Sequence, residues 1–291
     1  MKKLAFPLAC ALLAAASANA ANIIWISFHP ADNQPSANAA AAGFTSAPDV
    51  GYTQALTAAG HNVTRVVSSP TPNLAQLNAA DLVIISRSVA SGDYDAQTET
   101  AAWNSITAPT MILGGYVLRN SRLGYVTGAT IPDTVNPVTL QAVVPNHPIF
   151  NGITLGTGNT LSYAVPVSYT NNLQRGISVN TDPLAGGGTL IAKVDPAATS
   201  GANGLLIGEW QAGATMADTA PSDTLGGHRL VFLTGSRENV ITAEGAGMYD
   251  LTPEGKQLFL NAVSYMAVPE PSTYALVGLG GMALFFRRRK A

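Results

Sequence analysis

Cysteine and charged residues are scarce in this 291-residue sequence. It contains one cysteine, Cys10, and only 11% of its residues are Asp, Glu, Lys or Arg. Cys10 lies in an apolar stretch near the N-terminus that we expect to be removed from the mature chain. A mature chain without cysteine excludes disulfide bonds, thiolate metal sites and cysteine nucleophiles.

Sequence motifs of several enzyme classes are also absent. No G-x-S-x-G sequence is present to form the elbow of a serine hydrolase. The glycine-rich run at 185–188 precedes a predicted strand and lacks the lysine of a phosphate-binding loop. The four histidines, His29, His61, His147 and His228, show neither His-x-His nor i, i+4 spacing. We therefore predict no metal site and no cofactor, although residues distant in sequence can still assemble a metal site.

The N-terminus has the parts of a secretory signal peptide. A basic start precedes an uncharged run at 4–17, and the small residues Ala18 and Ala20 end the segment. This order is typical of a segment that the Sec machinery recognises and signal peptidase removes. We assign 1–20 as the signal peptide, with cleavage after Ala20. The alternative is a retained N-terminal helix.

The C-terminus carries a second targeting pattern. It consists of a Pro-Glu-Pro motif, an apolar stretch at 272–286 and a basic run, which comprise Pro269, Glu270 and Pro271, and then Arg287, Arg288, Arg289 and Lys290. As a helix, the 15 apolar residues span roughly 22 Å, which is short of the ~30 Å core of a bilayer. The basic run favours a cytoplasmic C-terminus, which fits a chain whose N-terminal part is exported.

This tail, 268–291, resembles the PEP-CTERM sorting signal in all three parts and in their order. The resemblance implies recognition by an exosortase, a membrane cysteine protease of Gram-negative bacteria that produce exopolysaccharide. It also implies a transient anchor in the inner membrane, cleavage near Pro269-Glu270-Pro271, and release to the cell surface or extracellular matrix. Extracellular polysaccharide is then a candidate partner. The alternative is a plain tail anchor without processing.

The remaining chain, 21–267, is mildly acidic. It contains nine Lys and Arg against sixteen Asp and Glu, a net charge of −7 with histidine neutral. A negative domain is a poor binder of nucleic acid and of anionic membrane surfaces. We therefore predict an exported domain with no nucleic-acid partner.

Residues 21–267 are predicted to form one α/β domain. Apolar runs alternate with helical patterns in its first half, which is typical of a parallel sheet covered by helices. The middle of the domain, 125–144, has no regular pattern, and 147–153 is predicted to be a turn-forming connection. We predict strands at 22–28, 61–68, 81–86, 109–114, 188–194, 204–210 and 228–233, and helices at 49–60, 73–80, 95–106 and 252–266.

Four segments of the domain carry a resemblance to known proteins. They are the strand that ends in Ser27-Phe28-His29, the strand at 81–85, the segment 147–152, and the segment 227–232 before the last helix. Together they resemble the class I glutamine amidotransferase-like fold and, within it, the trehalose-utilisation (ThuA-like) group. The resemblance implies a flavodoxin-like three-layer sandwich with a mainly parallel sheet.

The sequence departs from the amidotransferase pattern at the catalytic turn. Members of that class place a cysteine on a tight turn between a strand and a helix. The comparable segment here, 113–117, contains Gly114 and Gly115 but no cysteine. Thioester chemistry on glutamine is therefore excluded. The resemblance transfers a fold without an activity, and we favour a domain that is not an enzyme.

Ligands of open parallel sheets bind beyond the C-terminal ends of the strands. This rule, which we call the edge rule, selects residues that follow or end predicted strands. We expect these residues to share one cleft only in part. The catalytic candidates are His29 and Glu209, and the ligand-binding candidates are Arg87, Ser88, Tyr116, Trp210 and Arg237.

Each candidate has a functional and a structural interpretation. Arg87 and Arg237 suit a carboxylate, a phosphate or sugar hydroxyls, and local ion pairs are the alternative. Glu209 suits a catalytic acid or base beside Trp210, which would stack on a sugar; the alternative is a strand-end ion pair and a packed indole. His29 suits a general base or a metal ligand, and the alternative is a loop histidine bonded to backbone.

Three functions remain open from the sequence. We favour a non-enzymatic surface or matrix protein that binds carbohydrate or a small ligand. The second is an extracellular carbohydrate-active enzyme of ThuA-like type that uses His29, Glu209 and an arginine in one cleft. The third is a structural component of the extracellular polymer layer. The second hypothesis requires His29 and Glu209 to face the same cleft.

Overall fold

The computed structural model describes residues 20–167, 175–217, 223–237 and 242–267. The predicted signal peptide and sorting tail lie outside these ranges. The strands are β1 (Asn22–Ser27), β2 (Asn62–Val67), β3 (Leu82–Ile85), β4 (Thr110–Ile112), β5 (Asp133–Thr134), β6 (Val138–Ala142), β7 (Thr160–Ala164), β8 (Ile177–Ser178), β9 (Thr189–Val194), β10 (Leu205–Trp210) and β11 (Arg229–Phe232). The helices are α1 (Ala37–Ala41), α2 (Val50–Ala58), α3 (Leu74–Asn78), α4 (Gln97–Asn104) and α5 (Pro253–Ala267).

A nine-stranded sheet forms the centre of the domain, in the order β2-β1-β3-β4-β11-β10-β9-β6-β7. The strands from β2 to β11 pair in parallel, and every pairing from β11 to β7 is antiparallel. The prediction of a mainly parallel sheet is therefore corrected to a mixed sheet. The reason lies in the connections. The described parts of the connections from β6 to β7, β9 to β10 and β10 to β11 contain no α-helix, whereas parallel neighbours need a longer crossover, usually a helix.

Every strand and helix that the periodicity predicts is present, and each end lies within two residues of the predicted one. Most ends are one or two residues shorter than predicted, whereas α5 runs one residue further, to Ala267. The elements that the pattern misses are short, namely α1, β5, β6, β7 and β8. In β6 the buried residues Val138, Leu140 and Ala142 alternate with half-buried ones. This strand lies in the segment that we expected to be irregular, where threonine and proline weaken the apolar signal.

Helix α5 packs against the sheet through one apolar face. Its buried residues include Leu258, Phe259, Ala262 and Met266, which follow the predicted helical stripe. The Phe259 ring lies 5.6 Å from the Tyr52 and Phe232 rings, measured between centroids. Such edge contacts between buried aromatic rings stabilise a core beyond the area they bury. Helix α5 is therefore packed against the sheet up to its last turn.

The parallel strands define two opposite edges of the sheet. We call the carboxyl edge the one where β1, β3, β4 and β11 end, and the amino edge the one where they begin. Because β10 runs antiparallel to β11, the end of β10 lies at the amino edge. Trp210 pairs with Arg229, and Arg229 and Val83 both pair with Thr110. This reversal decides which candidate residues meet.

No helix within the described ranges is both long and apolar enough to cross a bilayer.

Candidate functional site

Arg87 follows β3 at the carboxyl edge, and its side chain is buried, with 6% of the residue exposed. Two glycines make the space for its stem. A Cβ atom on Gly114 would lie 3.4 Å from Arg87 Cδ, and one on Gly235 would lie 3.1 Å from Arg87 Cβ. Gly235 also has a φ of +90°, which residues with side chains rarely adopt. The chain is therefore shaped around this arginine.

The Arg87 guanidinium makes few contacts for a buried cation. Its Cζ lies 4.7 Å from the centre of the Tyr116 ring, and Nη2 donates to Ser178 Oγ at 3.5 Å. Its Nε has no hydrogen-bond partner among the described residues. Burial and the nearby charge of Arg237 lower the pKa of Arg87 to about 10, so it stays charged at neutral pH. Its donors are poorly satisfied.

Tyr116 is the centre of a group of arginines. Arg175 Nη1 donates to the Tyr116 hydroxyl at 3.0 Å, and Arg119 Cζ lies 5.4 Å from the ring centre. The backbone N–H of Arg237 donates to the carbonyl of Arg175 at 3.1 Å. We call Arg87, Arg119, Arg175 and Arg237 around Tyr116 the arginine cluster. Burial lowers the pKa of Arg237, and the charge of Arg175 lowers it further.

Asp133 is a carboxylate in contact with this cluster. Its Oδ2 lies 3.9 Å from Arg175 Nε, and its Oδ1 accepts a hydrogen bond from Ser178 Oγ at 2.5 Å. The pairing of β5 with β8 places Asp133 opposite Ser178. Among the residues that the structure describes, one partly exposed carboxylate thus faces several guanidinium groups, and this part of the site is positively charged.

His29 and Ser88 lie beside the cluster, and both are fully buried. His29 Nδ1 accepts from the backbone N–H of Ser36 at 3.0 Å, so the ring proton belongs on Nε2, which lies 3.0 Å from Ser88 Oγ. Burial lowers the pKa of His29. This is the geometry of a neutral histidine bonded to backbone, and neither ring nitrogen points to open solvent.

Trp210 lies at the amino edge, away from the arginine cluster. It is 1% exposed, its Nε1 donates to the Ala185 carbonyl at 2.7 Å, and its ring meets Tyr125 edge-on at 5.1 Å. A Cβ atom on Gly188 would lie 2.3 Å from the indole. Trp210 is therefore a packed indole that offers no open face to a sugar.

Glu209 also lies at the amino edge, in a network with two histidines and a tyrosine. Its Oε1 accepts from His228 Nε2 and the Tyr265 hydroxyl, each at 2.7 Å. His147 Nε2 lies 3.5 Å from its Oε2. Burial alone would raise the pKa of Glu209, but the hydrogen bonds from His147, His228 and Tyr265 bring it well below its ordinary value. Glu209 is an ionised carboxylate that ties α5 to the sheet.

The structure therefore groups the candidates only in part. Arg87, Tyr116 and Arg237 come together with Ser88 and His29 beside them, whereas Glu209 and Trp210 lie at the opposite edge. Among the described residues, no three His, Cys, Asp or Glu side chains are arranged to hold a metal ion.

The turn after β4 has no room for a nucleophile. Gly115 begins a 3-10 turn, Gly115–Leu118, and a Cβ atom on it would lie 2.2 Å from the carbonyl oxygen of Ser178. Asn180 Nδ2 also donates to the Gly115 carbonyl at 3.1 Å. The segment around β8 thus occupies the space that a side chain at position 115 would need.

Sequence reasoning missed three contributors to the site, Arg119, Arg175 and Asp133. None of them follows a predicted strand, so the edge rule did not select them. For the two arginines the sequence does offer one signal. The exported domain has only nine Lys and Arg, so each arginine in it is a candidate for binding an anion.

The fold and the site define a mixed α/β domain with a cationic site at the carboxyl edge of its parallel strands. Residues 267–290 match the PEP-CTERM protein-sorting motif, which confirms the prediction for the tail. This motif implies export, membrane-anchored processing and cleavage by an exosortase. No curated protein matches the chain in sequence.

Solved structures similar to this chain include two proteins described as ThuA-like. The one from Bacteroides uniformis is 8% identical, with a TM-score of 0.46 over 83% of this chain and 89% of that chain. The one from Parabacteroides merdae is 10% identical, with a TM-score of 0.45 over 86% and 91%. A cytoplasmic protein of Salmonella typhimurium is 11% identical, with a TM-score of 0.46 over 84% and 98%.

Proposed function

We propose that this protein is an exported surface or matrix protein of an exopolysaccharide-producing Gram-negative bacterium, and that its folded domain binds a ligand without catalysing a reaction. The PEP-CTERM motif carries the sorting part of this proposal. It begins at Ala267, the last residue of α5, so the folded domain precedes it in the chain. The Sec machinery would export the chain, and signal peptidase would remove 1–20. Residues 272–286 would then hold the domain at the inner membrane until exosortase cuts near Pro269-Glu270-Pro271.

The order of the parallel strands supports a flavodoxin-like core in the domain. The order β2-β1-β3-β4-β11 corresponds to the 2-1-3-4-5 order of flavodoxin-like sheets. In such sheets ligands bind outside the carboxyl ends of the strands, which is where the arginine cluster lies. The insertion between β4 and β11 supplies Asp133 and Arg175, so the binding edge is built partly from residues outside the parallel core.

The site geometry supports binding over catalysis. Gly115 leaves no space for a nucleophile, and both ring nitrogens of His29 are engaged. The carbohydrate-active alternative needs His29 and Glu209 in one cleft, but the two residues lie at opposite edges of the sheet. A glycosidase also needs two opposed carboxyl groups, and the neighbours of Glu209 are two histidines and a tyrosine.

Fractionation of the native host tests the sorting part of this proposal. We expect the wild-type protein in the cell-surface or extracellular fraction. A variant with Pro269, Glu270 and Pro271 replaced by alanine should stay in the membrane fraction, because the cleavage motif is lost while the apolar stretch remains. The control is Val268→Ala, which keeps the three motif residues. Equal release of the triple variant and the wild type would contradict exosortase sorting.

A further inference from the structure

We infer that the arginine cluster is a binding site for a monoanionic ligand that presents a planar carboxylate, of which a sugar acid is the simplest extracellular example. This inference rests on the proposed function only in taking the carboxyl edge as the binding edge. The ligand carboxylate would lie against Arg87 and Arg175, and Arg237 would add positive charge to the site.

The distribution of charge is the first argument. The exported domain has a net charge of −7 and nine basic residues, yet Arg87, Arg119 and Arg175 all contact Tyr116. The backbone of Arg237 pairs with that of Arg175, and the charge of Arg237 lies close enough to lower the pKa of Arg87. Like charges that are brought together repel one another, and a site that holds them together is stabilised by an anion. An acidic domain that gathers its few cations at one place therefore has a reason to bind negative charge there.

Arg87 supplies the second argument. A guanidinium has five N–H donors, and within the described ranges those of the buried Arg87 make one hydrogen bond, at the long distance of 3.5 Å. Its Nε is buried without a hydrogen-bond partner in the part of the chain that the structure describes. Unsatisfied buried donors on a charged group cost stability unless another acceptor is supplied. A ligand oxygen would provide that acceptor.

The openings of the site indicate how the ligand reaches it. The Arg175 side chain is 34% exposed and the Asp133 side chain is 20% exposed, so the cluster meets solvent on that side. The Tyr116 ring is already in contact with Arg87 and Arg119. Recognition therefore depends on charge and hydrogen bonds and not on stacking of a sugar ring on Tyr116.

The chemistry of the site favours a carboxylate over a phosphate dianion. The fork of an arginine side chain matches two coplanar oxygens. Asp133 lies beside Arg175 and would repel a second negative charge on the ligand. A monoanion gains the guanidinium contacts with less repulsion from this carboxylate.

Titration of the full chain in detergent at constant ionic strength tests the inference. The probes are sodium glucuronate, neutral glucose and inorganic phosphate, and calorimetry gives the dissociation constants. Glucuronate should bind at least about tenfold more tightly than glucose, because one charge-assisted hydrogen bond corresponds to that ratio or more. It should also bind more tightly than phosphate, and it should raise the melting temperature of the protein.

Variants identify the residues that bind. Arg87→Met and Arg175→Met should each weaken glucuronate binding by about tenfold or more, whereas Arg87→Lys should lie between Arg87→Met and the wild type. Lys193→Met, which removes one positive charge from β9, is the control and should bind as the wild type does. Without ligand, Arg87→Met should melt at or above the wild-type temperature, because it removes a poorly satisfied buried cation.

The inference is overturned if the wild-type protein binds neither glucuronate nor phosphate, or if Arg87→Met and Arg175→Met bind glucuronate as tightly as the wild type. Tighter binding of phosphate than of glucuronate would overturn the assignment to a carboxylate. These outcomes are independent of the tail, because the binding measurement does not require processing. A failure of sorting in the host and a failure of anion binding are therefore distinguishable.

Discussion

At the scale of single residues, Asp250 holds the turn that follows β11. Its Oδ1 accepts from Thr234 Oγ1 at 2.7 Å and from the Tyr52 hydroxyl at 3.0 Å. Its Oδ2 accepts from Ser236 Oγ at 2.6 Å, and the N–H of Gly235 donates to Oδ1 at 3.2 Å. Because Gly235 packs on the stem of Arg87, this buried carboxylate positions the arginine without touching it.

Replacement of Asp250 by alanine should destabilise the domain strongly. The substitution leaves several buried donors without an acceptor, and the expected loss in the free energy of unfolding is about 3–5 kcal/mol. Urea denaturation of the full chain measures it. Asp195→Ala, at an exposed loop carboxylate, is the matched control and should cost less than about 1 kcal/mol. Equal stability of the two variants would show that the Asp250 network contributes little.

His29 makes the stability of the domain depend on pH. Burial lowers its pKa, and the charges of Asp49, Arg65 and Glu244 act on it in both directions. The folded-state pKa lies below the unfolded value of about 6.5, so the unfolded chain binds more protons as the pH falls through that value. The contribution of His29 to stability is therefore present above about pH 6.5 and is lost on acidification.

Comparison of His29→Gln with the wild type should isolate this dependence. Between pH 7 and the folded-state pKa, the wild type should lose unfolding free energy more steeply, by at most about 1.4 kcal/mol per pH unit for one proton. Urea denaturation at several pH values gives both slopes. His61→Gln is the comparison variant, because burial also lowers the pKa of His61. It measures how much a second histidine of this kind contributes to the slope. If the unfolding free energy changes with pH at the same slope in the wild type and in His29→Gln, the titration of His29 does not contribute to the pH dependence.

The residues of the site differ in how far sequence predicts them. Arg87 and Tyr116 follow parallel strands, so the edge rule finds both. Asp133 meets them because β5 pairs with β8, and each of these strands has two residues. Arg175 meets them through an isolated bridge with Arg237. A two-residue strand has no periodicity to detect, so this half of the site depends on tertiary structure.

At the scale of secondary-structure elements, β10 shows where the edge rule fails. The rule selects Glu209 and Trp210 because it assumes that strand ends share one edge, but β10 runs antiparallel to its neighbours. The apolar runs of β1, β3, β4 and β11 are predictable because buried parallel strands are continuously apolar. Strand direction, by contrast, depends on the connections between neighbouring strands. The hydrophobic pattern of a strand does not report its direction.

The contact between the β4 turn and β8 gives a prediction for Gly115. A Cβ atom there would lie 2.2 Å from the backbone oxygen of Ser178, and backbone cannot move aside as a flexible side chain can. Gly115→Ala should therefore cost about 1–3 kcal/mol and lower the melting temperature. In Gly92→Ala, the control, the nearest atom is a side-chain oxygen at 4.0 Å. A melting temperature for Gly115→Ala equal to that of the control would contradict the close packing.

At the scale of the whole molecule, the sorting tail begins where the folded domain ends. Met266 is 1% exposed, and the matched motif starts at Ala267. Four residues separate Ala267 from the apolar stretch, which allows at most about 18 Å of extended chain. Tyr265 contacts Glu209 at the amino edge. We therefore expect the anchored precursor to hold its amino edge near the membrane, with the arginine cluster at the far end.

This geometry predicts that a spacer would speed processing. A flexible ten-residue Gly/Ser insertion after Ala267 should raise the rate of tail cleavage severalfold, because the protease would no longer work beside a buried helical turn. Pulse-chase labelling in the native host measures the rate. The same insertion after Gly187, an exposed turn, is the control and should leave the rate unchanged. Slower cleavage with the spacer would indicate that exosortase needs the domain close to the motif.

The intact mass of the protein released by its own host tests the central claim most directly. The proposed processing predicts a chain that begins at Ala21 and ends near Pro269, without the apolar stretch and the basic run. A released or membrane-bound protein whose mass still includes residues 272–291 would contradict exosortase processing and would leave the tail as a plain anchor.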